Sequence, residues 1–146
     1  MSFDLQNVDL TVPIDYELKL VRAFITIEQI RFGDRIRVEW DIPNQMKLFV
    51  PPLSIQTLVE NAIQHGILPR QEGGTVTIYI EEKKENFTIA ITDNGVGFET
   101  KMSKEKTSVG LINTEQRLKQ LFGVELAIDS VIDQGTTISF SIPKKI

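Results

Sequence analysis

Cysteine is absent from the 146 residues, and histidine occurs once, as His65. The first absence excludes a disulfide framework and any thiolate metal site. The second excludes a multi-histidine metal centre and a Ser-His-Asp triad with a base to spare. No apolar run approaches the ~20 residues that cross a bilayer, and no signal-peptide pattern opens the chain. Positive charge is scarce too. The net charge is −4, and the one notable basic cluster, Lys101, Lys104 and Lys106, is interleaved with Glu99 and Glu105. That balance speaks against nucleic acid as a partner, because phosphate backbones call for clustered Lys and Arg. What remains is an ordinary globular composition, 41% hydrophobic and 25% charged, at a length suited to one domain.

The periodicities predict an ordered series of elements. Residues 1–8 carry no pattern and read as a tail; residues 9–146 read as the domain. Over 14–32 the row Ile14, Leu18, Val21, Ile25 and the parallel row Leu20, Phe24, Ile27 follow a helical period, with Pro13 before it and Gly33 after it. Residues 35–42 alternate as a half-buried strand, Ile36, Val38, Trp40 and Ile42 on one face. A second helix is expected over 53–66, with Pro52 at its first turn, a stripe of Ile55, Leu58, Val59 and Ala62, and Gly66 as terminator. Two alternating runs, 75–82 and 87–92, form a hairpin, followed by a glycine-marked loop and a helix from about 111 to 122. A last hairpin spans 125–131 and 136–142. Helix, strand, helix, hairpin, helix, hairpin predicts a two-layer α/β (α+β) sandwich: a mixed, mostly antiparallel sheet with three helices on one face.

Three short segments bear on chemistry, and each has an ordinary reading as well. In Glu60-Asn61-Ala62-Ile63-Gln64-His65-Gly66, Asn61 and His65 lie side by side on a helix, and a carboxamide oxygen aimed into a cleft is a hard ligand suited to Mg²⁺; a solvated helix end would show the same letters. In Asp93-Asn94-Gly95-Val96-Gly97-Phe98, an acid at a strand end can accept a hydrogen bond from an exocyclic amine such as that of adenine, while glycines let a ligand approach the backbone; Asp-Asn-Gly is also common turn chemistry. In Ser108-Val109-Gly110-Leu111, backbone N–H groups at a helix N-terminus can hold phosphate; Ser108 could equally be an N-cap. Their order on helix, strand end and helix start supplies a metal ligand, a base-reading acid and a phosphate cradle in one pocket.

These segments resemble the N, G1 and G2 boxes of the GHKL superfamily of ATP-binding domains, and Gly135-Thr136-Thr137 resembles the last element of that family's pocket. Phe32-Gly33-Asp34-Arg35, Pro51-Pro52-Leu53 and Asn113…Arg117-Leu118 are similar to sensor histidine kinases of the autolysis- and sugar-regulator type. The resemblance implies the Bergerat-type fold, with ATP and Mg²⁺ as cofactors. It implies that Asn61 ligates Mg²⁺, that Asp93 reads the adenine amine with support from Gly97 and Thr137, that Gly95 and Thr136 also belong to the nucleotide site, and that Ser108, Gly110 and Leu111 meet the phosphates. Residues 99–109 would be a lid from which Lys101, Lys104 or Lys106 reaches the γ-phosphate, Glu60 a general base, and His65 a pocket-edge residue. Ser108 stands where the family often has glycine.

The family's acceptor segment, a His-Phe-Leu-Phe-Asn-like run, is absent here. The implied partners are therefore a phosphoacceptor-histidine helical domain of the same protein and then a response regulator. The parent would be a membrane-anchored homodimer with this domain facing the cytoplasm. An anti-sigma-type serine kinase, or a nucleotide-binding module without turnover, are the alternatives.

Overall fold

The computed structural model describes residues 10–98 and 109–144. Strand β1 (Val12–Pro13) leads into α1 (Ile14–Phe32) and a 3-10 turn, Gly33–Arg35. Next come β2 (Ile36–Asp41), β3 (Phe49–Val50), α2 (Ser54–Asn61) continued by a π-helical turn (Ala62–Ile67), and the hairpin β4 (Gly74–Glu82) and β5 (Asn86–Asp93). Helix α3 (Val109–Phe122) and the hairpin β6 (Ala127–Val131) and β7 (Gly135–Pro143) complete the chain. Five strands form one sheet in the order β2-β4-β5-β7-β6. Only β2 and β4 run parallel; the other pairs are antiparallel. A parallel pair needs a crossover, and α2 supplies it.

The alternation of the strands sets the two faces. Val76, Ile78 and Ile80 of β4, Phe87, Ile89 and Ile91 of β5, and Ile138, Phe140 and Ile142 of β7 are buried together. Ile78 pairs with Ile91 and Ile80 with Ile89. Onto them α1 lays Ile14, Leu18, Val21 and Ile25, α2 Ile55, Leu58 and Val59, and α3 Leu111 and Leu118. Each such side chain contributes roughly 1.5–3 kcal/mol by leaving water. The other face of the sheet carries small polar residues, with Thr88 beside Ser141 (3.4 Å) and Thr92 beside Thr137 (3.0 Å).

The two-layer architecture agrees with the expectation from sequence, but several details do not. A miniature sheet pairs Val12 with Val50 and Pro13 with Phe49. Two-residue strands are too short to show a period. The second helix begins at Ser54, one residue after the expected Leu53, because Leu53 takes a left-handed conformation (φ 66°), which also leaves Pro52 ahead of the first turn. Gly66 does not terminate that helix; it lies buried within the π-helical turn. Arg35 is not on the strand, and its guanidinium donates to the carbonyls of Leu68 (2.7 Å) and Arg70 (3.2 Å), fastening the end of the π-turn.

Candidate functional site

Asp93 is the last residue of β5 and sits on the core-facing side of the sheet, in line with Ile89 and Ile91. An acid thus ends a row of isoleucines, and it is only 4% exposed. Its Oδ1 accepts the Gly95 N–H at 2.9 Å. Burial pushes its carboxyl above the usual carboxylate range, and the backbone N–H groups of Gly95 and Thr136 pull against that rise. Two N–H donors leave a carboxylate with acceptor capacity to spare.

Two glycines bring the surrounding backbone in. A Cβ on Gly95 would overlap the Gly66 carbonyl, and a Cβ on Gly66 would overlap the Asp93 carboxylate. This close approach lets the Val96 N–H donate to the Gly66 carbonyl at 3.0 Å. The π-helical turn makes it possible. Leu68 donates to Ile63, a five-residue step (2.9 Å), and the widened turn faces the loop after β5. The loop is anchored on its other side by the Asp133 N–H to the Val96 carbonyl (2.7 Å) and the Phe98 N–H to Ser130 Oγ (2.9 Å). Arg70 donates to the carbonyls of Asn94 (3.4 Å) and Asp133 (3.0 Å).

Asn61 is the last residue of α2, half-buried, one position before the π-turn that packs on Asp93. Glu60 beside it is half-buried, and His65 is exposed on the π-turn. Helix α3 is described from Val109 onward, so Gly110 and Leu111, set at its start by the sequence pattern, both lie within the helix. Leu111 turns its side chain into the core. Lys104 and Ser108, with Lys101, Lys106 and the rest of the lid segment up to 108, lie outside the described residues.

One assignment changes. Thr137 pairs with Thr92 on the far face of the sheet. Thr136 pairs with Asp93 in the ladder and shares its face, 7% exposed, with its hydroxyl 2.7 Å from that of Ser130. Support beside Asp93 therefore comes from Thr136. Successive strand residues point to opposite faces, so a slip of one position moves a side chain through the sheet.

The least expected member is Glu17 on α1, 0% exposed. Its carboxylate accepts the N–H groups of Leu53 (2.9 Å), Ile55 (3.1 Å) and Gln56 (3.2 Å). Leu53 has no side-chain cap to offer, so the first N–H groups of α2 are satisfied from another helix. Position 17 falls on the same helical face as Ile14 and Val21, so an acid at a core-facing position was the available signal. Across a cleft of about 160 Å³, Gly110, Asn113, Thr114 and Arg117 of α3 face Pro51-Pro52-Leu53, and Arg117 donates to the Pro52 carbonyl at 3.2 Å. Among the described residues no cluster of three or more histidine, aspartate or glutamate side chains could hold a metal by itself.

A Gly66→Ala variant should push the Asp93 carboxylate out of place. Overpacking of this kind costs about 1–3 kcal/mol, so a matching fall in melting temperature is expected. An unchanged melting temperature would show that the carboxylate has room to yield.

Residues 53–146 match the family described as histidine kinase-, DNA gyrase B- and HSP90-like ATPase. The chain is 38% identical to the sensor histidine kinase YpdA of Escherichia coli, over 94% of this chain and 25% of that protein. It is 36% identical to the sensor protein LytS of Bacillus anthracis, over 94% of this chain and 26% of that protein. It thus spans about a quarter of the length of either relative. Its fold is that of the histidine kinase domain of the Erythrobacter litoralis EL346 blue-light activated kinase, with a TM-score of 0.70 at 21% identity over 90% of this chain and 61% of that one.

Proposed function

The chain belongs to the histidine kinase-, DNA gyrase B- and HSP90-like ATPase family, and from that membership we propose that it is the Mg·ATP-binding catalytic domain of a two-component sensor histidine kinase. The observation that carries the reading is the Asp93 carboxylate, buried at a strand end with two backbone donors and further acceptor capacity. A buried acid of this kind selects a ligand that brings an N–H donor, as the adenine amine does.

The donor set suits Mg·ATP. Asn61 offers a neutral oxygen at the end of α2, the hard donor that Mg²⁺ accepts beside phosphate and water. Gly110 and Leu111 offer backbone N–H groups to the phosphates. Mg²⁺, when bound, neutralises charge on the transferring phosphoryl group. Asp93 orients the base, with Thr136 and Ser130 holding the strand end behind it. By resemblance, Lys104 and Ser108 belong to the phosphate end of the site. Glu60 takes the proton of the attacking imidazole. Catalysis is then positioning plus charge neutralisation.

The acceptor histidine lies on a helical segment of a longer polypeptide, with a response regulator as the next carrier and a membrane-anchored homodimer as the parent. The sensor-protein names of the relatives support this placement. Among the described residues no helix is long and apolar enough to cross a membrane.

Calorimetry with ATP and ADP, with and without Mg²⁺, tests the site. Asn61→Ala should remove most of the Mg²⁺-dependent part of the affinity, about tenfold or more for a lost charge-assisted contact, and leave the metal-free affinity near wild type. Unchanged Mg²⁺ dependence would refute the role of Asn61, and no binding at all by wild type would refute the nucleotide site. In the full-length kinase, wild-type autophosphorylation by Glu60→Gln would remove Glu60 from the mechanism.

A further inference from the structure

Helix α1 is apolar on two faces. Ile14, Leu18, Val21 and Ile25 are buried against the protein. Tyr16, Leu20, Ala23, Ile27 and Ile30 form a second row on nearly the opposite side, as the ~100° turn per residue requires. Tyr16 is 54% exposed, Ile27 57% and Ile30 80%. A helix apolar on both faces is normally covered on both, yet among the described residues only the sheet side of α1 is covered by such a layer. The outer row repeats at spacings of four, three, four and three. That is the seam of a coiled coil, and it fits a second helix crossing at about 20°.

The charges beside the seam say what kind of helix. Lys19 borders it on one side and Arg31 on the other, both exposed. Of the three acids of α1, Glu17 and Glu28 are buried, and Asp15 is exposed one turn before Lys19. Glu17 is buried against the N-terminus of α2, Glu28 is buried 3.8 Å from Arg31, and Asp15 lies a heptad before Arg22 on the polar strip, where Arg22 stacks on Trp40 at 4.0 Å. The seam is apolar with a basic border.

We propose that the outer face of α1 docks an amphipathic helix whose apolar seam is bordered by acidic side chains. A second copy of α1 matches the apolar row but would bring two basic borders into one interface, which like-charge repulsion disfavours. The inference stands on α1 alone and is independent of the nucleotide reading.

Two synthetic helical peptides test it, with the same leucine–isoleucine seam bordered in one by glutamate and in the other by lysine. Each is titrated into the whole 146-residue chain by fluorescence anisotropy at low salt. The glutamate peptide should bind at least about tenfold more tightly than the lysine peptide. The double variant Ile27→Glu, Ile30→Glu should lose that binding by about tenfold or more, and it should keep a cooperative melt because both positions are exposed. Binding of neither peptide, equal binding of both, or full binding by the double variant would overturn the proposal. Sedimentation of the chain alone addresses the remaining occupant: a concentration-dependent dimer that the double variant abolishes would replace the acidic helix with a second copy.

Discussion

Replacing Asp93 by asparagine is expected to lower ATP affinity by roughly 10- to 150-fold, the worth of a hydrogen bond to a charged group at about 1.5–3 kcal/mol. A carboxamide has one acceptor and one donor end. With the Gly95 N–H on one oxygen, an asparagine that keeps this bond must turn its NH₂ toward the adenine amine. Stability should move the other way. Burial holds the Asp93 pKa above the ordinary value, which is ~3.9 for a free side chain, so the folded state binds the proton more tightly than the unfolded state. Between the two values the native protein carries more protons, and stability falls as pH rises through that window; above it the penalty is complete. Asparagine has no charge to desolvate. The variant should therefore melt no lower than wild type at neutral pH, and it should lack the wild-type decline through the mildly acidic range. Calorimetry and thermal melts over pH check both halves. Wild-type affinity, or an identical pH slope in the two proteins, would remove Asp93 from its place in the site.

The largest loss of stability is expected from Glu17→Ala, about 3–5 kcal/mol. Three N–H groups lose their common acceptor, an unmet buried donor costs about 1–3 kcal/mol, and the end of α2 loses its counter-charge. Against the 5–15 kcal/mol of a typical domain this is a large fraction. Glu17→Gln keeps one acceptor oxygen and should fall between alanine and wild type. Urea unfolding measures it, as a lower midpoint at unchanged slope. A loss below about 1 kcal/mol for alanine would mean that water enters and satisfies the N–H groups instead.

The strands were legible because period-two alternation is a strong signal where one face is buried. Ile78, Ile80, Ile89 and Ile91 pair across the sheet as their spacing implies. So was the order of the N-box helix, the acid at a strand end and the glycine-marked helix start. Features that depend on tertiary contact were not. Nothing local marks Leu53 for a left-handed conformation; the turn is held by Glu17, 36 residues earlier. The π-turn at Ala62–Ile67 arises where α2 must present Gly66 to Asp93 and Gly95, and propensity carries no trace of that. Thr136 and Thr137 differ by one position in a run of similar residues, and only the ladder register shows which one faces Asp93. Lys104 and Ser108 fall outside the described residues, so their assignment rests on resemblance.

The strand order has a consequence for how the molecule comes into being. Among the described residues β7 is the last strand, but it occupies an interior position between β5 and β6. As the polypeptide leaves the ribosome, β5 presents an open, isoleucine-rich edge until residues 135–143 arrive, and such edges invite wrong pairings. Thr136 is also the residue that reaches Asp93 across the ladder. The acid at the end of β5 thus gains its ladder partner only once residues 135–143 have paired with β5.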